Sequence, residues 1–196
     1  MSIDYRERKT LTFAADLKVL AKSADYPDGA LEGYGSTFGN VDLGGDVVMP
    51  GAFTKTLKDN LRTGSIKLID GHNTYTGTQG VIGVVTEARE DTRGLWFKAK
   101  FSGTTLAQEV RQKVREGILN SLSIGYGTIR ENLKDTHREL LELKLWEISV
   151  VAWGMNPEAG ITGAKSDSEV SAMLRDMREV FTLADVKSTA VLMQRK

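Results

Sequence analysis

Cysteine is absent from the 196 residues. That absence excludes disulfides, zinc–thiolate sites and a cysteine nucleophile, and it fits a reducing cytosol without requiring one. Histidine is scarce: His72 and His137 are the two in the chain, so chemistry that needs an imidazole must use one of them. Net charge is lacking. Lys plus Arg and Asp plus Glu each number 26, which gives no electrostatic reason to expect nucleic acid or an anionic membrane as partner. No run of about 18 apolar residues occurs, so no membrane span is expected. The charged start, Met1 to Lys9, has no apolar core of the kind a signal peptide needs. Repeats and low-complexity tracts are missing as well. With 40% hydrophobic and 27% charged residues, what remains is the composition of a soluble domain with a real core plus a tail.

Along the chain, partial alternation over 10–22 predicts a first strand. Pro27-Asp28-Gly29 marks a turn, and Leu31–Phe38 reads as a second strand. The segment Gly39 to Asp46 is glycine-rich and acidic. Asp42 and Asp46 could take a cation there, but the ligand set of a calcium loop is incomplete, and no metal is expected. Thr54 is placed to cap a short helix over 54–60. A β-prone run, Ile66 to Asp70, ends at Gly71-His72-Asn73. Gln79–Ala88 and Leu95–Phe101 flank the turn Arg89 to Gly94 and predict a hairpin. Leu106, Val110 and Val114 recur at helical spacing. Glu131–Glu139 is polar and is expected to be a loop. Leu140–Val151 is an apolar strand with one acid, Glu147, inside it. After a linker-like stretch at 160–166, Val170, Met173, Leu174, Met177 and Phe181 form the stripe of an amphipathic helix.

Three residues stand out. Ser123 lies in Gly117 to Ile129, where period-two alternation puts Leu122, Ile124 and Tyr126 on one face and Ser121, Ser123 and Gly125 on the other. Ser123 is either a nucleophile with small neighbours that leave room for a substrate backbone, or a plain hydroxyl on a half-buried strand. His72, at a strand end, either faces a cleft or sits on a surface loop. Glu147 either finds a histidine or arginine partner, because an unpaired buried carboxylate costs several kcal/mol, roughly, or it faces solvent with Ser149 on an edge strand. A serine hydroxyl needs a base to attack at neutral pH, an imidazole can carry its proton, and a third group can orient the imidazole. The chain supplies all three types in strand-like elements, and spacing alone leaves the bland readings open.

Four stretches, taken together, resemble the tailed-phage prohead (capsid maturation) serine protease family. Glu32 to Phe53 is similar to that family's N-terminal signature. Asp70-Gly-His-Asn73 followed by Gly80-Val-Ile-Gly83 resembles its histidine motif. Gly117 to Tyr126, containing Ser123-Ile-Gly-Tyr126, resembles its nucleophile motif. Leu145 to Val151 followed by Asn156-Pro-Glu-Ala159 resembles its closing strand. The departures are Gly71, where the family often has a bulkier residue, and Trp153-Gly-Met, which replaces a proline-rich exit.

The resemblance implies an α+β fold of the herpesvirus-protease (assemblin) type, a closed antiparallel β-barrel with surrounding helices. It implies Ser123 as nucleophile, favoured over Ser121 by the motif, and His72 as general base. Glu147 is the expected third member, with His137 and Asp70 as alternatives. Oxyanion donors are expected among the backbone N–H groups near Gly125–Arg130, with Arg130 nearby. No cofactor is expected. Residues 1–160 would be the protease domain and 161–196 a linker and C-terminal helical tail, removed by self-cleavage. The implied substrate is the major capsid protein or its scaffold domain, cut inside the prohead in the host cytoplasm. A homodimer is expected, without nucleic acid or membrane. The alternative is a non-catalytic assembly scaffold protein with the same barrel. An unrelated small-ester hydrolase is disfavoured because no Gly-x-Ser-x-Gly elbow surrounds Ser123.

Overall fold

The computed structural model describes residues 18–42, 44–74 and 77–152, together with the backbone of 11–14. The helix expected after the linker, like the linker itself, lies outside these residues. In chain order the elements are β1 (Leu11–Ala14), β2 (Lys18–Leu20), β3 (Ala30–Thr37), β4 (Asp46–Val48), α1 (Thr54–Asn60), β5 (Lys67–Asp70), β6 (Val81–Glu90), β7 (Gly94–Phe101), α2 (Thr105–Arg115), β8 (Ser121–Leu133) and β9 (Arg138–Val151). One sheet holds all nine strands in the order β1-β8-β9-β5-β6-β7-β3-β2, with β4 added alongside β9.

The closed antiparallel barrel is not what forms. The two ends of the ladder are β1 and β2, which do not pair with each other, so the sheet stays open. It is also mixed, because β4 and β5 both run parallel to β9. Among the described residues only α1 and α2 accompany it. Closure needs the terminal strands to meet along a full ladder, and here they are four and three residues long.

The sheet curls around an apolar core. Leu122 and Ile124 of β8, Ile148 and Val150 of β9, Phe97 of β7 and Leu31 of β3 are almost wholly buried, each worth roughly 1.5–3 kcal/mol of transfer free energy. Helix α2 adds Ala107, Val110 and Val114 to this core, which is the face that its spacing predicted. The β6–β7 hairpin forms as expected.

Two local expectations fail for physical reasons. Residues 131–133 and 138–139 are strand, because β8 and β9 continue as an antiparallel ribbon up to the pair Leu133–Arg138, with β4 along the other edge of β9 from Arg138 to Leu140. The β8 side of this extension is exposed from Ile129 to Leu133 and needs no apolar alternation, while the polar Arg138 is held by Asp46 of β4, so the polarity of the segment reads as loop. Thr54 does not cap α1. The N-cap position is Phe53, and the Glu90 carboxylate of β6 accepts hydrogen bonds from the backbone of Phe53 at 2.6 Å and Gly51 at 3.0 Å, and from the Thr54 hydroxyl at 3.1 Å.

Strand β9 carries the irregularity that matters most. Tyr126 pairs with Leu145 and Gly125 with Glu147, so Trp146 is an extra residue in β9. A β-bulge of this kind shifts the alternation by one. Leu143 and Leu145 point to the core before it, and Ile148 and Val150 after it. Glu147 and Ser149 are thereby turned to the other face.

Candidate active site

The β8–β9 register sets Ser123 opposite Ser149 and Gly125 opposite Glu147. Directly opposed residues share a face, so two hydroxyls and one carboxylate collect on the side away from Leu122, Ile124, Ile148 and Val150. A Cβ at position 125 would lie 2.4 Å from Glu147 Oε1. The missing side chain of Gly125 is what leaves the carboxylate its place.

The third component arrives from β5, which runs beside β9 with Ile69 opposite Ser149 and Asp70 opposite Val150. Past the strand end, Gly71 and His72 take φ values of 58° and 56°. Glycine adopts this left-handed conformation freely, whereas for a residue with a side chain it costs about 1–3 kcal/mol. His72 is the non-glycine residue found there among those described. The turn is held by Gly71 N–H donating to the Val150 carbonyl at 2.9 Å and Asn73 N–H to the Asp70 carbonyl at 3.0 Å. His72 N–H donates to Ser149 Oγ at 3.2 Å. This reversal brings the imidazole back over the sheet, to where β8 and β9 present their polar side chains.

There, His72 Nε2 is 2.5 Å from Ser123 Oγ and Nδ1 is 2.5 Å from Glu147 Oε1. The other carboxylate oxygen, Oε2, accepts a hydrogen bond from Ser149 Oγ. The proton positions follow from the chemistry of the groups. An ionised carboxylate only accepts, so Nδ1 carries the hydrogen, and the neutral ring offers its Nε2 lone pair to the Ser123 hydroxyl. Glu147 is 6% exposed and Ser149 fully buried. With an imidazole on one oxygen and a hydroxyl on the other, the buried carboxylate is paired as its position demands. The arrangement can move a proton off Ser123 and hold the imidazolium that results.

Comparison with known proteins agrees in kind with this geometry. The profile of the caudovirus prohead serine protease family matches residues 16–176. The chain belongs to that family. It is a serine protease. It is 29% identical over 162 residues to the prohead protease of Enterobacteria phage HK97, a match that covers 81% of this chain and 69% of that protein. The structure of the bacteriophage T4 capsid assembly protease is similar in fold, with a TM-score of 0.58 at 12% identity over 74% of this chain and 96% of that one.

The other residues that this family's resemblance brought forward stand elsewhere. Ser121 shares the Ser123 face, but its hydroxyl donates to Asn120 Oδ1 at 3.2 Å. Asp70 belongs to the same turn as His72, yet both ring nitrogens are already engaged by Ser123 and Glu147. His137 lies in the turn between β8 and β9, 3.1 Å from Thr136 Oγ1. That end of the ribbon is on the order of 30 Å from Ser123 at the usual strand rise. Arg130 is exposed and opposite Glu142, on the order of 20 Å along the strand from Ser123 by the same rise.

The acidic loop has a structural role. Asp46 is 1% exposed; Arg138 Nε and a terminal guanidinium nitrogen each donate to it at 2.8 Å. Tyr126 O–H also donates to Asp46 at 3.4 Å, and Asp42 Oδ1 accepts the Asp46 N–H at 2.7 Å. Hydrogen bonding to Asp46 raises the Arg138 pKa, and burial, followed by the Asp46 charge, pushes Tyr126 up. The cluster ties β4 to the ribbon.

Proposed function

We propose that Ser123, His72 and Glu147 form the catalytic relay of a capsid-maturation protease that cuts the major capsid protein or its scaffold domain inside the prohead. The observation that carries this reading is the unbroken chain Ser123 Oγ, His72 Nε2, His72 Nδ1, Glu147 Oε1, with 2.5 Å at each junction between residues. Ser123 Oγ attacks the scissile carbonyl while Nε2 takes its proton. The imidazolium, stabilised by Glu147, returns the proton to the leaving amine. Water then repeats the cycle on the acyl-enzyme. Ser123 is fully buried and the His72 side chain 23% exposed, so the imidazole is the more exposed of the two groups. The same reading takes residues 1–160 as the protease unit, 161–196 as a segment that the enzyme removes from itself, and a homodimer as the working form.

Treatment with a fluorophosphonate followed by peptide mass spectrometry tests the assignment. The adduct is expected on the peptide containing Ser123, and His72→Ala should lose it. An adduct on a different serine, with Ser123 unmodified, overturns the assignment.

A further inference from the structure

We infer that Ser149 is a positioning residue that sets both the imidazole and the carboxylate of the relay through one hydroxyl; the inference rests on the catalytic reading of Ser123, His72 and Glu147 given above. A serine hydroxyl has one hydrogen to give and lone pairs to accept with. The Glu147 carboxylate can only accept, so the hydrogen points at Oε2. The lone pairs then face the His72 N–H, 3.2 Å away. These two bonds do different work. The first fixes the rotation of the carboxylate, and so the direction in which Oε1 meets Nδ1. The second supplies a partner to the backbone of the left-handed residue that swings the imidazole over the sheet.

The placement of Ser149 makes the device rigid. It is fully buried on β9, which lies inside the sheet between β8 and β5. It is directly opposite Ser123 on the ladder. Nucleophile, base and acid are therefore all referenced to one rung of hydrogen-bonded backbone. In metal sites, partners that orient a ligating side chain change activity by about 10–100-fold when removed, and the same scale is taken here for a hydroxyl that orients a carboxylate; a misplacement of about 1 Å can cost on the order of 100-fold.

The test compares Ser149→Ala, Ser149→Cys and Ser123→Ala in steady-state cleavage of a polypeptide taken from the capsid or scaffold protein. Alongside, proton NMR observes the far-downfield resonance of the His72 Nδ1 hydrogen. Ser149→Ala should lower kcat by about 10–100-fold, leave KM nearly unchanged, and shift or broaden the Nδ1 resonance. Ser149→Cys keeps the volume with a weak donor and should show the same pattern, which covers the case in which the alanine variant fails to fold. Wild-type kcat and an unmoved resonance in a folded Ser149 variant overturn the inference. Ser123→Ala should be inactive and keep the resonance. A Ser123→Ala protein that still cuts the substrate removes the catalytic reading itself, an outcome separable from any result at Ser149.

Discussion

Gly125 and Glu147 face each other across the β8–β9 ladder, and the carboxylate fills the space where a side chain at 125 would stand. A Cβ there would meet Oε1 at 2.4 Å, Cγ at 2.7 Å and Cδ at 2.8 Å. Gly125→Ala should therefore push Glu147 out of line with His72. A loss of about 100-fold in kcat/KM is expected, with a stability loss of about 1–3 kcal/mol from overpacking. Kinetics and thermal unfolding of this variant check both numbers. Wild-type turnover would mean that Glu147 does not need its present position.

Glu147→Gln keeps the shape and removes the charge. The amide can still accept from Ser149, but it cannot stabilise an imidazolium, and its N–H₂ can turn toward Nδ1 and favour the wrong tautomer. A fall of about 10⁴-fold in kcat is expected by analogy with acid-to-amide replacement in serine protease triads, equivalent to about 5.5 kcal/mol of barrier. Single-turnover cleavage by the purified variant measures it. A loss below about tenfold would show that the carboxylate is only a packing group.

How much of this was readable in advance differs by element. Alternation around Ser123 and the helical spacing of Leu106, Val110 and Val114 come from local packing, and both lead to the observed strand and helix. Glu147 is turned away from the core by the bulge at Trp146, where the buried positions change phase from Leu143 and Leu145 to Ile148 and Val150; the run Leu140–Val151 reads as one apolar strand and leaves both readings of Glu147 open. The open sheet was not legible, because closure depends on whether β1 and β2 meet, a contact between distant strands that no short pattern encodes. The cap on α1 is hidden for the same reason: Glu90, whose carboxylate accepts from Gly51, Phe53 and Thr54, lies far along the chain. Ser149 was visible as a polar neighbour of Glu147. Its double hydrogen bond depends on the backbone reversal at Gly71 and His72, which only the folded chain displays.

Asp46 and Arg138 form a buried pair, with side chains 1% and 12% exposed. Asp46→Ala removes the buried acceptor but leaves Arg138 its partner Glu131 at 2.8 Å, so it should cost about 1–3 kcal/mol of unfolding free energy. Urea denaturation measures this. Cleavage per folded molecule should stay within about twofold of wild type, in line with the small coupling of sites that share no partners. Replacing both, as Asp46→Ala with Arg138→Met, should recover part of the loss.

Burial raises the Tyr126 pKa above its ordinary value. Below pH about 10 both folded and unfolded chains hold the phenolic proton, and the contribution to stability is fully present. Above that pH the unfolded chain releases the proton while the folded chain retains it. Unfolding is then favoured, and stability falls as pH rises. Urea unfolding between pH 9 and about 11 should show this decline, and Tyr126→Phe should make it shallower. An identical slope in the variant would contradict the buried, protonated phenol.

The most direct measurement is incubation of wild-type protein and Ser123→Ala, each with the phage's capsid or scaffold protein, followed by mass analysis of the products. Discrete fragments from the wild type and intact substrate with Ser123→Ala are the predicted result. The same fragments from both would contradict the account, because peptide-bond cleavage would then not depend on the hydroxyl that His72 is placed to activate.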